Sequence, residues 1–128
     1  VQPTFVDIEN TFWGYLGCQF ESADEDKLVI SLDLLPHHLN VLGIVHGGVL
    51  SALLDNAMGA AAMRARPNEQ VVTTSINVHF LSALREGKLF ATIEIVHQSR
   101  KMITLSGTIT GENGELSAMG TSTFRVIN

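Results

Sequence analysis

The stretch from Gly47 to Arg64 is the only segment of this chain with the length and spacing of a long helix, and strand-like alternation fills most of what remains. A lone helix has nothing to bury its apolar stripe against except a sheet. Stepping about 100° per residue around it sets Gly48, Ser51, Ala52, Gly59 and Ala62 beside Asp55, with Leu50, Leu53, Ala57, Ala60 and Ala61 opposite. One face is therefore aliphatic, and the other consists of small residues around one carboxylate. Gly59 costs the helix roughly 1 kcal/mol relative to alanine, which makes sense where something approaches closely. Pro67 and Asn68 end the element.

Residues 4–17 form a short helical or irregular lead-in with Phe5, Ile8, Phe12 and Trp13 available for packing. From Cys18 the pattern becomes extended: CQFES, a polar ADED turn, then KLVISLDL with Leu28, Ile30, Leu32 and Leu34 alternating against polar partners, which reads as a hairpin. Pro36 stops it, and a loop, HHLNVLGI, leads to His46. Beyond Pro67, Val71 to Leu81 sets Ile76, Val78 and Phe80 against Ser75, Asn77 and His79. Lys88 to Gln98 repeats the device, and Met102 to Thr110 and Leu116 to Val126 follow, joined by a Gly-Glu-Asn-Gly turn. The expectation is an α+β fold: a hairpin, one long helix, then four consecutive antiparallel strands, with the helix laid across a curved sheet.

A length of 128 residues predicts one domain over 1–128. Hydrophobic residues at 45% against 16% charged exclude a disordered chain and leave apolar surface for a partner. A net charge of -5 has the wrong sign for nucleic acid or anionic lipid, so any bound phosphate must meet a local cluster of bases. One cysteine, Cys18, excludes an intrachain disulfide or a multi-thiolate zinc site and reads as a small core residue in a reducing cytoplasm. The richest apolar run, Val49 to Met63, is broken by Asp55 and Asn56, and the N-terminus lacks a secretory pattern. The expected setting is soluble and cytoplasmic.

The chemistry concentrates in Asn40 to Gly48, NVLGIVHGG, which opens the helix carrying Asp55. First-turn N–H groups have no intrahelical acceptor and sit at the positive end of the dipole, where they can stabilise an oxyanion. Glycine at 47 and 48 clears the approach to them, or serves only a tight loop-to-helix turn. No base stands one turn from Asp55, since 51, 52, 58 and 59 are Ser, Ala, Met and Gly. The carboxylate either faces solvent, bonds Ser51, or sits partly buried as a nucleophile or a base for water. The five histidines show no metal-ligand spacing, so no metal centre is expected. No G-x-S-x-G occurs, and Ser51 reads as a packing residue.

The segment NVLGIVHGGVLSALLDNAM, Asn40 to Met58, resembles the signature of hotdog-fold acyl-CoA thioesterases, in the branch of the phenylacetyl-CoA and 4-hydroxybenzoyl-CoA enzymes. The resemblance extends through TTSINVHFLSAL to GELSAMGTSTFRVI, nearly the whole chain. It implies a homodimer with active sites at the subunit interface, often a dimer of dimers, cleaving acyl-CoA without metal or redox cofactor. Position by position, Gly47 would give the oxyanion N–H, His46 would orient that loop or the carbonyl, and Asn40 would hold substrate or water. Asp55 would attack the thioester or activate water, and Thr73 would position the water, with Thr74 and Ser75 as competitors. Arg100 and Lys101 are the leading contacts for coenzyme A phosphates, ahead of Arg64, Arg66, Arg85 and Lys88. Phe12, Trp13, Leu50, Leu54, Met58 and Phe80 are candidates to line the acyl slot. A non-catalytic acyl-CoA sensor, or a hydratase or dehydratase on the same fold, stands as the alternative.

Overall fold

In the computed structural model, which describes residues 7–127, the two periodicities separate into one 19-residue helix and one six-stranded antiparallel sheet. Phe5 lies outside the described residues. The lead-in is a single 3-10 turn, Ile8–Asn10, capped by the Asp7 carboxylate, followed by the short helix α1, Phe12–Leu16. Gly17 closes α1 with φ at 95°, a left-handed conformation that suits glycine.

The predicted hairpin is present as β1 (Cys18–Ala23) and β2 (Lys27–Asp33). Its turn is built on Asp24, whose carboxylate accepts the Asp26 and Lys27 N–H groups at 2.8 Å, and those bonds hold its pKa below the ordinary carboxylate value. The long helix α2 spans Gly47–Ala65, and β3 (Val71–Phe80), β4 (Lys88–Gln98), β5 (Met102–Thr110) and β6 (Leu116–Val126) complete the chain.

The strand order is β1-β2-β4-β5-β6-β3: the last four strands lie side by side and antiparallel as expected, but β3 stands after β6 rather than before β4. Strand β4 joins β2, and β3 crosses to the far edge beside β6. Burial explains the choice. Leu89, Ala91 and Ile93 of β4 are buried in the middle of the sheet, whereas β3 packs only the partly buried Val71, Ile76 and Val78 against the core and stays at an edge.

Helix α2 lies across strands β2 to β6. Its buried stripe is Leu50, Leu53, Leu54, Ala57, Met58, Ala61 and Ala62. That stripe is wider than the face predicted for it, because the sheet touches the helix from several strands; Ala62 turns inward and Ala60 is left partly exposed. The helix packs its Leu54 side chain over Gly107 of β5 and Gly120 of β6, which are direct partners in the sheet. A Cβ on Gly107 would stand 3.2 Å from Leu54 and Met58 side chains, and one on Gly120 only 2.6 Å from the Asn77 carbonyl oxygen. Cys18 is buried as expected, and burial pushes its thiol up to about 11 against the opposing bond from Asn56. Among the described residues no helix is long and apolar enough to cross a membrane.

Candidate active site

The loop before α2 is more structured than its sequence predicts. Pro36–His38 forms a 3-10 turn, and His38, expected as a loop residue, is buried. The His46 N–H donates to the His38 carbonyl at 2.9 Å, Leu39 bridges Val45, and the Asn40 N–H donates to the Ile44 carbonyl at 2.8 Å. Asn40 Oδ1 accepts the Leu42 and Ile44 N–H groups at 2.9 and 3.3 Å, so its acceptor end builds the loop, and its amide nitrogen bonds no group among the described residues.

This loop delivers His46 as the N-cap of α2, with Nδ1 accepting the Gly48 N–H at 2.7 Å. The accepting Nδ1 places the ring proton on Nε2. The His46 carbonyl accepts from Val49 and Leu50 at 2.9 and 3.3 Å. With Gly48, Val49 and Leu50 satisfied, the Gly47 N–H is the first-turn donor that meets no acceptor among the described residues. Gly47 lines a cavity of about 310 Å³ with Asn40, Leu50, Phe80 and Ser82. The Phe80 ring lies 3.4 Å from where a Cβ at Gly47 would stand, so the glycine keeps the space beside that N–H open.

Two turns further along α2, Asp55 is half-buried. Its partner is Thr73 rather than Ser51: Thr73 Oγ1 donates to Asp55 Oδ1 at 2.7 Å. A β-bulge between Thr73 and Ser75 shifts the register of β3 against β6 at this point. Thr74 is spent elsewhere, donating to the Thr123 carbonyl at 2.9 Å. Asp55 and Thr73 line a cavity of about 900 Å³ with Phe12, Trp13, Met63, Val72 and Phe124. No cation pairs with Asp55 among the described residues.

The structure thus brings together Asn40, His46 and Gly47 in one place and Asp55 with Thr73 in another. Gly47 and Asp55 stand about 12 Å apart along the helix axis, and they line different cavities. Of the acyl-slot candidates, Phe12 and Trp13 face the Asp55 cavity, and Leu50 and Phe80 the Gly47 cavity. Leu54 and Met58 are 0% exposed in the core and line neither. Met63, Val72 and Phe124 were not foreseen, although Met63 continues the face that carries Asp55 and Gly59.

Among the bases, Arg66 bonds Gln98 Oε1, Glu69 Oε1 and the Ser99 and Arg100 carbonyls, which ties the β4–β5 turn to the end of α2. Lys88 sits 3.9 Å from Glu21, and Arg85 leans on the Leu42 and Gly43 carbonyls. These three serve the fold. Arg100 and Lys101 have no carboxylate partner among the described residues, and Arg66 clasps their turn beside the Asp55 cavity that it helps to line. His79 and His97 are exposed on β3 and β4.

Residues 42–118 match the family described as the Thioesterase superfamily. A Mycobacterium tuberculosis protein that carries an esterase designation, Rv1847, is 30% identical over 122 residues, covering 92% of this chain and 87% of the relative. Acyl-coenzyme A thioesterase 13 of Mus musculus is 28% identical over 109 residues, covering 84% of this chain and 78% of its own. The crystal structure of thioesterase HI1161 from Haemophilus influenzae superimposes with a TM-score of 0.91 at 24% identity, over 99% of this chain and 94% of that one. At that identity the superposition speaks for the fold alone, and the family match and the Mycobacterium relative carry the kinship. The chain belongs to the thioesterase superfamily and has the hotdog fold, a curved antiparallel sheet around one long helix.

Proposed function

We propose that the protein hydrolyses an acyl-CoA to the free acid and coenzyme A, at sites shared between two copies of the chain. The observation that carries this reading is the Gly47 N–H, left without an acceptor among the described residues at the positive end of a 19-residue helix. A thioester carbonyl oxygen bound there gains charge as its carbon is attacked, and the donor is already in place. Asp55 takes a proton from a water held beside Thr73, and the water oxygen bonds to the carbonyl carbon. Collapse of the tetrahedral intermediate breaks the C–S bond and expels the thiolate, which takes the proton from Asp55. A thiol of ordinary pKa about 8.5 leaves readily.

Sharing is supported by the separation of Gly47 and Asp55, which line different cavities of one chain, too far apart for one carbonyl to meet both. The edge strand β3 presents a side that pairs with no strand among the described residues, with Val72 and Phe80 exposed, which suits pairing with a second β3 in a homodimer and, from there, a dimer of dimers. The apolar side chains around Asp55 suit a medium, long or aromatic acyl group. Arg100 and Lys101 are the proposed phosphate contacts, and the name of the mouse relative supports coenzyme A as the carrier. The setting proposed is cytoplasmic, where a single buried thiol needs no disulfide partner.

The test is thiol release across short, medium, long and aromatic acyl-CoAs. The wild-type protein should cleave at least one class, and Asp55→Asn should lower kcat about 10²- to 10⁴-fold without changing thermal unfolding. An Asp55→Asn protein with wild-type turnover would overturn the mechanism. Binding without thiol release would identify an acyl-CoA sensor, and a change in alkene absorbance without thiol release a hydratase or dehydratase.

A further inference from the structure

His38 is 1% exposed, at the foot of the loop that carries Asn40 and ends at His46. Both ring nitrogens are engaged: Nδ1 accepts the Leu35 N–H at 2.9 Å, and Nε2 donates to the Leu16 carbonyl at 2.8 Å. An accepting Nδ1 requires the neutral Nε2–H tautomer. Leu16 is the last residue of α1, the helix that supplies Phe12 and Trp13 to the Asp55 cavity. The His38 carbonyl in turn accepts the His46 N–H at 2.9 Å. One residue therefore ties the wall of the Asp55 cavity to the turn that presents the Gly47 N–H.

We propose that His38 is a positioning residue: neutral and doubly bonded, it sets the His46–Gly47 turn against α1, and uptake of a proton releases that turn. The proposal rests on the reading of Gly47 as the oxyanion donor. Protonation would place an N–H on Nδ1 opposite the Leu35 N–H, two donors with no acceptor between them. Burial opposes the charged form and holds the His38 pKa below the ordinary imidazole value, the Leu16 carbonyl works against that lowering, and charge on His37 adds to it. The titratable groups around it are His37 on its own turn, with ring centroids 4.2 Å apart, Tyr15 of α1, 6.2 Å from His37, and His46 through the backbone. No carboxylate pairs with His38 among the described residues.

The experiment is thiol release by His38→Leu and His38→Gln beside wild type, with thermal melts as the control for folding. Because a displacement of about 1 Å at a reacting group is worth up to about a hundredfold, His38→Leu should lose about tenfold or more in kcat with KM within about twofold. His38→Gln, whose amide can both accept and donate, should recover most of that loss. Folded variants that keep wild-type kcat overturn the proposal. Should neither variant fold, amide hydrogen exchange on the wild-type protein at stepped pH decides. The Leu35 and His46 amides should then lose protection together as His38 takes its proton, before those of the sheet do. Unchanged protection of His46 after His38 has titrated overturns it. A wild-type protein that releases no thiol defeats the reading of function instead, and the exchange experiment still tests the His38 link.

Discussion

Gly47 offers a test that removes one hydrogen-bond donor and little else. It is the first helical residue of α2, the position at which proline is tolerated because its missing N–H is unpaired anyway. His46 already has φ of -67° and ψ of 135°, the extended backbone that a residue before proline adopts. Gly47→Pro should therefore fold and bind acyl-CoA, yet lose about 10²- to 10³-fold in kcat, the usual cost of one oxyanion donor. Gly47→Ala, which keeps the N–H, should retain most of the activity, and equal kcat in the two variants would remove Gly47 from the mechanism. In the proposed mechanism Thr73 acts through one bond to a carboxylate, worth about 1.5–3 kcal/mol, so Thr73→Ala should lower kcat roughly 10- to 100-fold and Thr73→Ser should restore it. His38 also makes stability depend on pH. Its pKa is lower folded than unfolded, so its contribution is full above the ordinary imidazole value, near 6.5, and is lost as pH falls from there towards the folded value. Melts of wild type and His38→Gln between pH 8 and pH 5 should converge towards the acid end, because wild type loses stability there through His38 and the variant does not.

At the scale of elements, glycines divide into two kinds. A Cβ on Gly59 would lie 3.5 Å from the Phe124 ring, an ordinary contact, so the helix can accept a methyl there. Gly59→Ala should raise stability by up to about 1 kcal/mol while narrowing the Asp55 cavity, which would show as a raised KM for the bulkiest acyl groups. Gly120→Ala meets the Asn77 carbonyl at 2.6 Å, backbone rather than a movable side chain, and should cost about 1–3 kcal/mol, measured by denaturant unfolding at fixed protein concentration. Sequence alone separates these cases poorly. Periodicity shows the existence and type of α2 and of all six strands, because burial of alternate residues is a local pattern. The placement of β3 beside β6 is a long-range choice, and no local pattern records it. His38 was hidden for a related reason: Pro-His-His-Leu reads as a polar loop until Leu16 and Leu35 supply partners for both ring nitrogens. Asp55 was legible as an unpaired carboxylate on a small-residue face, whereas its bond to Thr73 depends on two elements meeting beside a bulge, and only the family resemblance pointed to it.

At the scale of the whole molecule, the proposed reaction needs Gly47 and Asp55 at one carbonyl. Gly47 and Asp55 lie on one helix, so no rotation of side chains closes the gap of about 12 Å between them, and the proposed dimer, paired along the β3 edge, is the arrangement in which each Gly47 would meet the other chain's Asp55. Mixing two inactive variants tests this directly. In a heterodimer of Gly47→Pro and Asp55→Asn chains, one of the two sites carries both substitutions and the other carries neither. Random pairing should then restore about a quarter of wild-type activity per dimer, and purified heterodimers about half. If both groups acted within one chain, every site in the mixture would keep one lesion and the activity would stay at the level of the parents. Heterodimers isolated by two different affinity tags and found inactive would place the whole reaction in a single chain, and would require a conformation in which the His46–Gly47 turn and Asp55 share one cavity.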